Sequence, residues 1–298
     1  MKKSPLKGLI IRTAVVYRRN YGFIYACDPK KEKRGVPHVI TFAWTEEGFE
    51  RGDANYDAHS ACLITDPDRG IVDVSEAGYY TVNAKSDLAT GDIFENSHPT
   101  PPTSRARGIR SVSAIAGKAY AVGIRGMVYR LDALANWTRI DDGLPESFDV
   151  QAIDGFSGTD LYAVGFGGQL WRYTRQRWKR EDLPTNTNLT SVKCGGDRNV
   201  YVGGHGGVLI RGKEGRWEVI QHASTTDDIW DLEWFADRLY ISTLDGLFAL
   251  DKRKLAPVAF GKDAPKSFYQ LSSADGEMWS NGEHDVMSFD GKSWTRIV

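Results

Sequence analysis

Residues 161–178 read LYAVGFGGQLWRYTRQRW, and residues 119–137 read AYAVGIRGMVYRLDALANW, nearly the same phrase. The same pattern continues as NVYVGGHGGVLIRGKEGRW (199–217), RLYISTLDGLFALDKRKL (238–255) and EMWSNGEHDVMSFDGKSW (277–294). In this alignment one turn column holds Gly126, Gly168, Gly207, Gly246 and Asp285, at spacings of 42, 39, 39 and 39. A second column holds Trp137, Trp178, Trp217 and Trp294. A regular period near 40 residues marks repeated supersecondary units, each too small to bury its own apolar face.

Within the copy that begins at Asp149, four short apolar segments, DVQAI, DLYAVG, QLWRY and RWKRE, are separated by GFSGT, FGG and TRQ. The central two alternate and meet across a glycine-rich turn, the signal of a hairpin. Four strands at this period predict a β-propeller blade. Upstream, SACLITDPDRGIVDVSEAGYYTVNAKSDLATGDIF (60–94) supplies four looser strands with Gly78 in the turn column. LIIRTAVVYRR, YGFIYACD, HVITFAW and GFERG supply four more, with the charged insertion PKKEKRGVP between the second and third. The expectation is a single all-β domain over 1–298, a seven-bladed propeller of four-stranded antiparallel blades. The blades fall near 9–56, 57–103, 104–146, 147–185, 186–225, 226–263 and 264–298, with six blades plus a divergent N-terminal sheet as the alternative.

Composition agrees with strands and tight turns: 31 Gly, 9 Trp, 13 Tyr and 12 Phe stand against 4 Met. A formal charge of -1 argues against a general binder of nucleic acid or anionic membrane. It hides an asymmetry, because residues 1–37 carry ten Lys/Arg against Asp28 and Glu32, a balance of +8 that leaves -9 for the rest. Cys27, Cys62 and Cys194 are odd in number and widely spaced, as expected of thiols in a reducing cytosol. The N-terminal apolar run is broken by Arg12 and lacks a small-residue cleavage site, and no run approaches 18 apolar residues, so a cytoplasmic protein with neither signal nor membrane span is expected.

A residue repeated in every blade serves the blade, so the tryptophan column is expected to cover the gaps between neighbours. Function should sit where the copies disagree: the turn between strands two and three, and the connections between blades. The turn tips read Glu76, Arg125, Phe166, His205, Asp245 and Glu283. The connections read HPTPPTSRARG, DDGLPESFD, LPTNTN, QHASTTDD and GKDAPKS. Several are acidic, with Asp141, Asp142, Glu146 and Asp149 in one, Glu181 and Asp182 near the next, and Asp227, Asp228 and Asp231 in a third. A shared acidic face would attract a basic partner, whereas the plainer reading is a solvated surface. Trp230, in DDIWDLEWF, lies near a loop end and reads either as an interface anchor or as core.

No catalytic or metal-binding signature emerges. The histidines at 38, 59, 98, 205, 222 and 284 form no HExxH pair, and GFGG and GGHGG lack the strand-to-helix setting of a phosphate loop. No metal or cofactor is expected. SFDGKSW (288–294) resembles, with one residue missing, the Asp-box turn of sialidase-like propellers, which implies a structural hairpin and not glycosidase activity.

The YAVGxxGxxxR…W phrases resemble the bacterial YVTN or BNR-like, WD-like repeat propellers, which include photosystem assembly factors; the match covers 104–298 well and the first hundred residues poorly. Single-domain members without a signal resemble immunity proteins that neutralise toxins of interbacterial competition systems. The resemblance implies a non-catalytic, protein-binding propeller, monomeric outside its complex. The residues above supply its candidate contacts: Arg125, Asp141, Asp142, Glu146, Phe166, His205, Asp227, Asp228, Trp230, Asp245 and Glu283, facing a basic toxin surface such as a nuclease cleft. The alternative is a carbohydrate-binding or enzymatic propeller with a site at the central channel mouth, built from groups such as His205, Glu283 and Arg125. A third reading gives the basic insertion, Lys30, Lys31, Lys33 and Arg34, an anionic ligand.

Overall fold

The computed structural model describes residues 4–85, 87–98 and 107–298. It is a seven-bladed β-propeller, each blade built on four antiparallel strands in sequence order. Of the two sequence alternatives, seven blades is the correct one, and the N-terminal segment forms a full blade.

The blades divide between two compact units, one running up to His59 and resuming at Trp230–Val298, the other spanning Ser60–Ile229. In the second unit, blade 2 comprises Ser60–Ile64, Gly70–Val74, Tyr79–Ala84 and Asp87–Asp92. Blade 3 comprises Ile109–Ile115, Lys118–Gly123, Met127–Ala133 and Asn136–Arg139. Ser97–His98 adds a short parallel strand to its outer edge, a feature no hairpin pattern announces. Blades 4 and 5 follow as Val150–Ser157, Asp160–Gly165, Gln169–Thr174 and Arg177–Glu181, then Leu189–Cys194, Val200–Gly204, Leu209–Lys213 and Arg216–Val219.

The hairpin phrase becomes physical in the cross-strand pairs. Tyr120 faces Arg130, Tyr162 faces Arg172 and Tyr201 faces Arg211, and the Arg172 guanidinium lies 5.5 Å from the Tyr162 ring centroid. Such pairs stabilise a sheet by several tenths of a kcal/mol each, roughly 0.2–1. The tryptophans do cover the gaps to the preceding blade. Trp137 is fully buried with its ring 5.4 Å from Tyr80, Trp178 donates from Nε1 to the Ile140 carbonyl at 2.6 Å, and Trp217 donates to Glu181 at 3.1 Å.

First strands of successive blades are stitched by side chains about one blade apart. Val112 donates its amide to Ser60 Oγ (3.0 Å), Ser111 Oγ donates to the Gln151 carbonyl (3.1 Å), and the Cys194 amide donates to Asp154 (2.8 Å). These bonds satisfy groups that the sheet ladders leave over.

The other unit contains blade 1 (Ile10–Arg18, Tyr21–Cys27, Val39–Thr45, Gly48–Ala54), blade 6 (Asp231–Phe235, Arg238–Ser242, Leu247–Asp251, Lys254–Pro257) and blade 7 (Gln270–Ala274, Glu277–Asn281, Val286–Phe289, Trp294–Arg296). The same stitching recurs, with Leu271 donating to Asp231 (2.8 Å), Ser273 Oγ to Glu233 (2.8 Å) and Val16 to Ser272 Oγ (2.9 Å). First and last blades therefore pack together without exchanging a strand. Glu277, 2% exposed, joins them: it accepts from the Asn20 amide (2.7 Å), Trp279 Nε1 (2.6 Å) and Ser288 Oγ (2.7 Å). Gly22 is required here, since a Cβ would lie within 3 Å of the Trp279 ring.

The charged insertion holds a single helical turn, Pro29–Glu32, capped by Asp28 on the Lys30 amide (2.8 Å). Buried His38 closes its base, its Nε2 accepting from the Asp28 amide (2.7 Å) and its Nδ1 lying 2.8 Å from the Val36 carbonyl. The Asp-box-like turn is structural as expected: Asp290 accepts from the Lys292 and Ser293 amides, both at 2.8 Å, and Trp294 stacks on Phe289.

Candidate functional site

The strand-two-to-three turns of blades 3, 4 and 5 share one construction. Each has a residue pair with both φ values positive: Arg125 and Gly126, Gly167 and Gly168, Gly206 and Gly207. That is the type I′ geometry that suits a two-residue hairpin, and glycine takes it without strain. The turn glycines are also pressed by the following inter-blade loop, since a Cβ on Gly126 would come 2.9 Å from the Pro145 carbonyl oxygen, and one on Gly207 2.7 Å from that of Thr225.

The same loops clamp the turns with side chains. Asp149 accepts from the Arg125 amide (2.9 Å), Asn188 from Gly167 (3.0 Å) and Asp228 from Gly206 (2.8 Å). His222 Nε2 adds a contact of 2.8 Å to the Gly207 carbonyl. This Asp/Asn/Asp column, spaced 39 and 40 residues apart, went unread in the sequence because it sits in loops of unequal composition. The period itself was the available signal.

With the backbone clamped, the residue before each positive-φ pair projects from a fixed base. These residues are Ile124, half-buried; Phe166, 44% exposed; and His205, half-buried. Phe166 and His205 meet across neighbouring blades with ring centroids 6.3 Å apart, edge to face. Arg125 is one place out of register with them and occupies the position that the other two turns give to glycine. Its guanidinium pairs with Glu146.

The acidic loops around these turns divide by environment. Asp141 is half-buried and takes a bifurcated bond from Arg139 Nε (2.9 and 3.0 Å to its two oxygens), while Asp149 and Asp228 serve as clamps. Asp142 and Asp227 are exposed, the latter accepting from Thr225 Oγ1 at 2.9 Å. Loops 140–149, 181–188 and 220–229 together contain eight carboxylates and no Lys or Arg.

In the unit with blades 1, 6 and 7, Trp230 precedes the first strand of blade 6 and packs on Tyr269, ring centroids 5.6 Å apart. Asp245 is exposed beside Leu244, itself 53% exposed, at the blade 6 turn. Glu283 is exposed at the blade 7 turn, where its carbonyl accepts from the Ile11 amide (2.9 Å). Lys30, Lys31, Lys33 and Arg34 are exposed, and Arg12 pairs with Glu32 beside them. Glu76 is exposed in the blade 2 turn, and most of the connection HPTPPTSRARG, residues 99–106, lies outside the described residues.

Among the described residues no group of three His, Cys, Asp or Glu could hold a metal ion. Burial, with Asp73 near Cys62 and Asp154 near Cys194, pushes both thiol pKa values up, so neither offers a thiolate at neutral pH. A cavity of about 620 Å3 lies on the outer strands of blade 5, and two of its three lining cations are engaged in ion pairs, Arg211 with Glu218 and Lys213 with Asp160. Among the described residues no helix is long and apolar enough to cross a membrane.

No protein-family model matches the chain. It is 31% identical to the immune protein Tsi7 of Pseudomonas aeruginosa over 309 aligned positions, which cover 99% of each chain. The chain belongs to the Tsi7 immune-protein family. Solved structures of the same fold are far more distant. YCF48 bound to D1 peptide aligns with a TM-score of 0.66 at 12% identity, over 94% of this chain and 93% of its own. The WD40 propeller domain of Doa1 aligns at 0.67 and 8%, over 97% and 92%, and the virginiamycin B lyase of Staphylococcus aureus at 0.65 and 11%, over 80% and 83%. A peptide complex and a lyase on one scaffold illustrate that this fold carries no single task. The immunity assignment therefore rests on the family, and the likeness of fold adds only a scaffold suited to binding.

Proposed function

We propose that the protein neutralises a toxin by binding it, without catalysis of its own, and that it does so in the cytosol as a monomer that engages one toxin molecule. The observation that carries this reading is membership of the Tsi7 family across essentially the whole of both chains. Two features support it: rigid turns that hold exposed side chains, and loops whose carboxylates outnumber their cations eight to none. A basic toxin surface would be drawn to such loops, and the gain would appear in the association rate. The three free cysteines suit a reducing compartment.

The test is co-expression with the product of the reading frame adjacent to this chain's gene. Growth arrest by that product alone, relieved by this protein, together with a 1:1 complex on size-exclusion chromatography, is the expected result. Arrest that persists despite full expression of this protein overturns the proposal.

A further inference from the structure

Phe166 is a large apolar side chain left 44% exposed on a turn whose backbone is held in place by Asn188 and by the close approach of a neighbouring loop. His205, its equivalent one blade on, touches it at 6.3 Å between centroids and rests on a turn held by Asp228 and His222. The pair thus offers an aromatic knob on backbone that is already held, and preorganised groups yield more affinity because less freedom is lost. The exposed carboxylate of Asp227 lies in the loop that holds the His205 turn, and that of Asp142 in the loop between blades 3 and 4, neither loop having any Lys or Arg.

We propose that Phe166 and His205 form the central anchor of the partner interface and that the partner is a protein presenting an apolar socket rimmed by Lys and Arg. This deepens the immunity reading and rests on it. The anchor sets the lifetime of the complex. Asp142 and Asp227 set how fast it forms, because exposed rim charges act on encounter more than on the bound state. Asn188 and Asp228 act differently from these: they accept from the amides of the Phe166 and His205 turns, so they position the anchor.

Surface plasmon resonance with the product of the adjacent reading frame as the probe separates these roles. For Phe166→Ala the expected result is at least a tenfold weaker complex, mainly through faster dissociation, as for a truncated interface anchor. His205→Ala should weaken it in the same way. The double substitution Asp142→Asn with Asp227→Asn should slow association and flatten its dependence on salt between 50 and 200 mM, with dissociation little changed. Leu88→Ala, on the exposed outer strand of blade 2 at 69% exposure, is the surface control. Unchanged thermal unfolding of Phe166→Ala ensures that the loss is one of contact. Binding of Phe166→Ala within twofold of wild type overturns the anchor, even if the wild type protects cells. Failure of the wild type to bind overturns the immunity reading and this inference together.

Discussion

Replacing Glu277 tests how the first and last blades are held. Its carboxylate is 2% exposed and accepts three bonds of 2.6–2.7 Å, one of them from Asn20 in blade 1. Hydrogen bonds to a charged group contribute about 1.5–3 kcal/mol each, and a buried donor left without an acceptor costs about 1–3 kcal/mol. The Glu277→Ala cavity admits some water, so the sum is not reached, and a loss of about 3–5 kcal/mol follows. Glu277→Gln keeps the shape and one acceptor oxygen but turns an amide N–H towards a donor, which should cost about 1–3 kcal/mol. Equilibrium denaturation in urea reads both values, and the midpoint should fall in the order wild type, Gln, Ala. In thermal unfolding the Ala variant should melt about 6–10 °C lower, at roughly 2 °C per kcal/mol for a chain of this size. If Glu277→Ala lies within 1 kcal/mol of wild type, the carboxylate does not join the blades and the reasoning is wrong.

Other consequences can be checked in the same way. Trp178→Ala should lose about 3–5 kcal/mol, because a ring buried to 2% exposure leaves a cavity and orphans the Ile140 carbonyl; Trp178→Phe, which keeps most of the packing, should lose less by denaturant titration. Asp228→Ala should leave global stability nearly unchanged and speed hydrogen exchange of the Gly206 amide about tenfold, measured by NMR, since only the turn opens. Asp285 bears on acid stability. Burial alone raises its pKa, but the bonds from Arg296, Lys266 and Ser267 outweigh that and hold it below the usual carboxylate value. A depressed folded pKa means that its stabilisation is complete above the unfolded value near 4 and is lost as pH falls through the folded value. Asp285→Asn should therefore flatten the fall in stability below about pH 4, and an unchanged acid limb would refute the assignment.

Much of the candidate surface was legible in outline and not in detail. The variable turns were found because they interrupt a regular phrase, and Phe166 and His205 were singled out there. Their contact, and the one-place offset of Arg125, depend on which residues of each turn take positive φ and on how neighbouring blades pack. The acidic loops were read as a set. Burial and partners separated them into clamps, an internal Arg139 pair and solvent-facing groups, because a carboxylate's role depends on which amide or guanidinium comes within reach.

What the amino-acid order determined by itself was everything periodic and local: four strands per unit, the glycine turns and the tryptophan column, with the structure choosing seven blades over six plus a divergent sheet. Alternation and turn chemistry act within about ten residues, so they are written directly in the chain. Only the tertiary structure decided what happens between units some 40 residues apart or at opposite ends of the chain: the stitching of first strands, the clamps on the turns, and Glu277 meeting Asn20. Those contacts join groups whose partners are fixed by blade packing, and packing places side chains together without leaving a spacing that either segment carries alone.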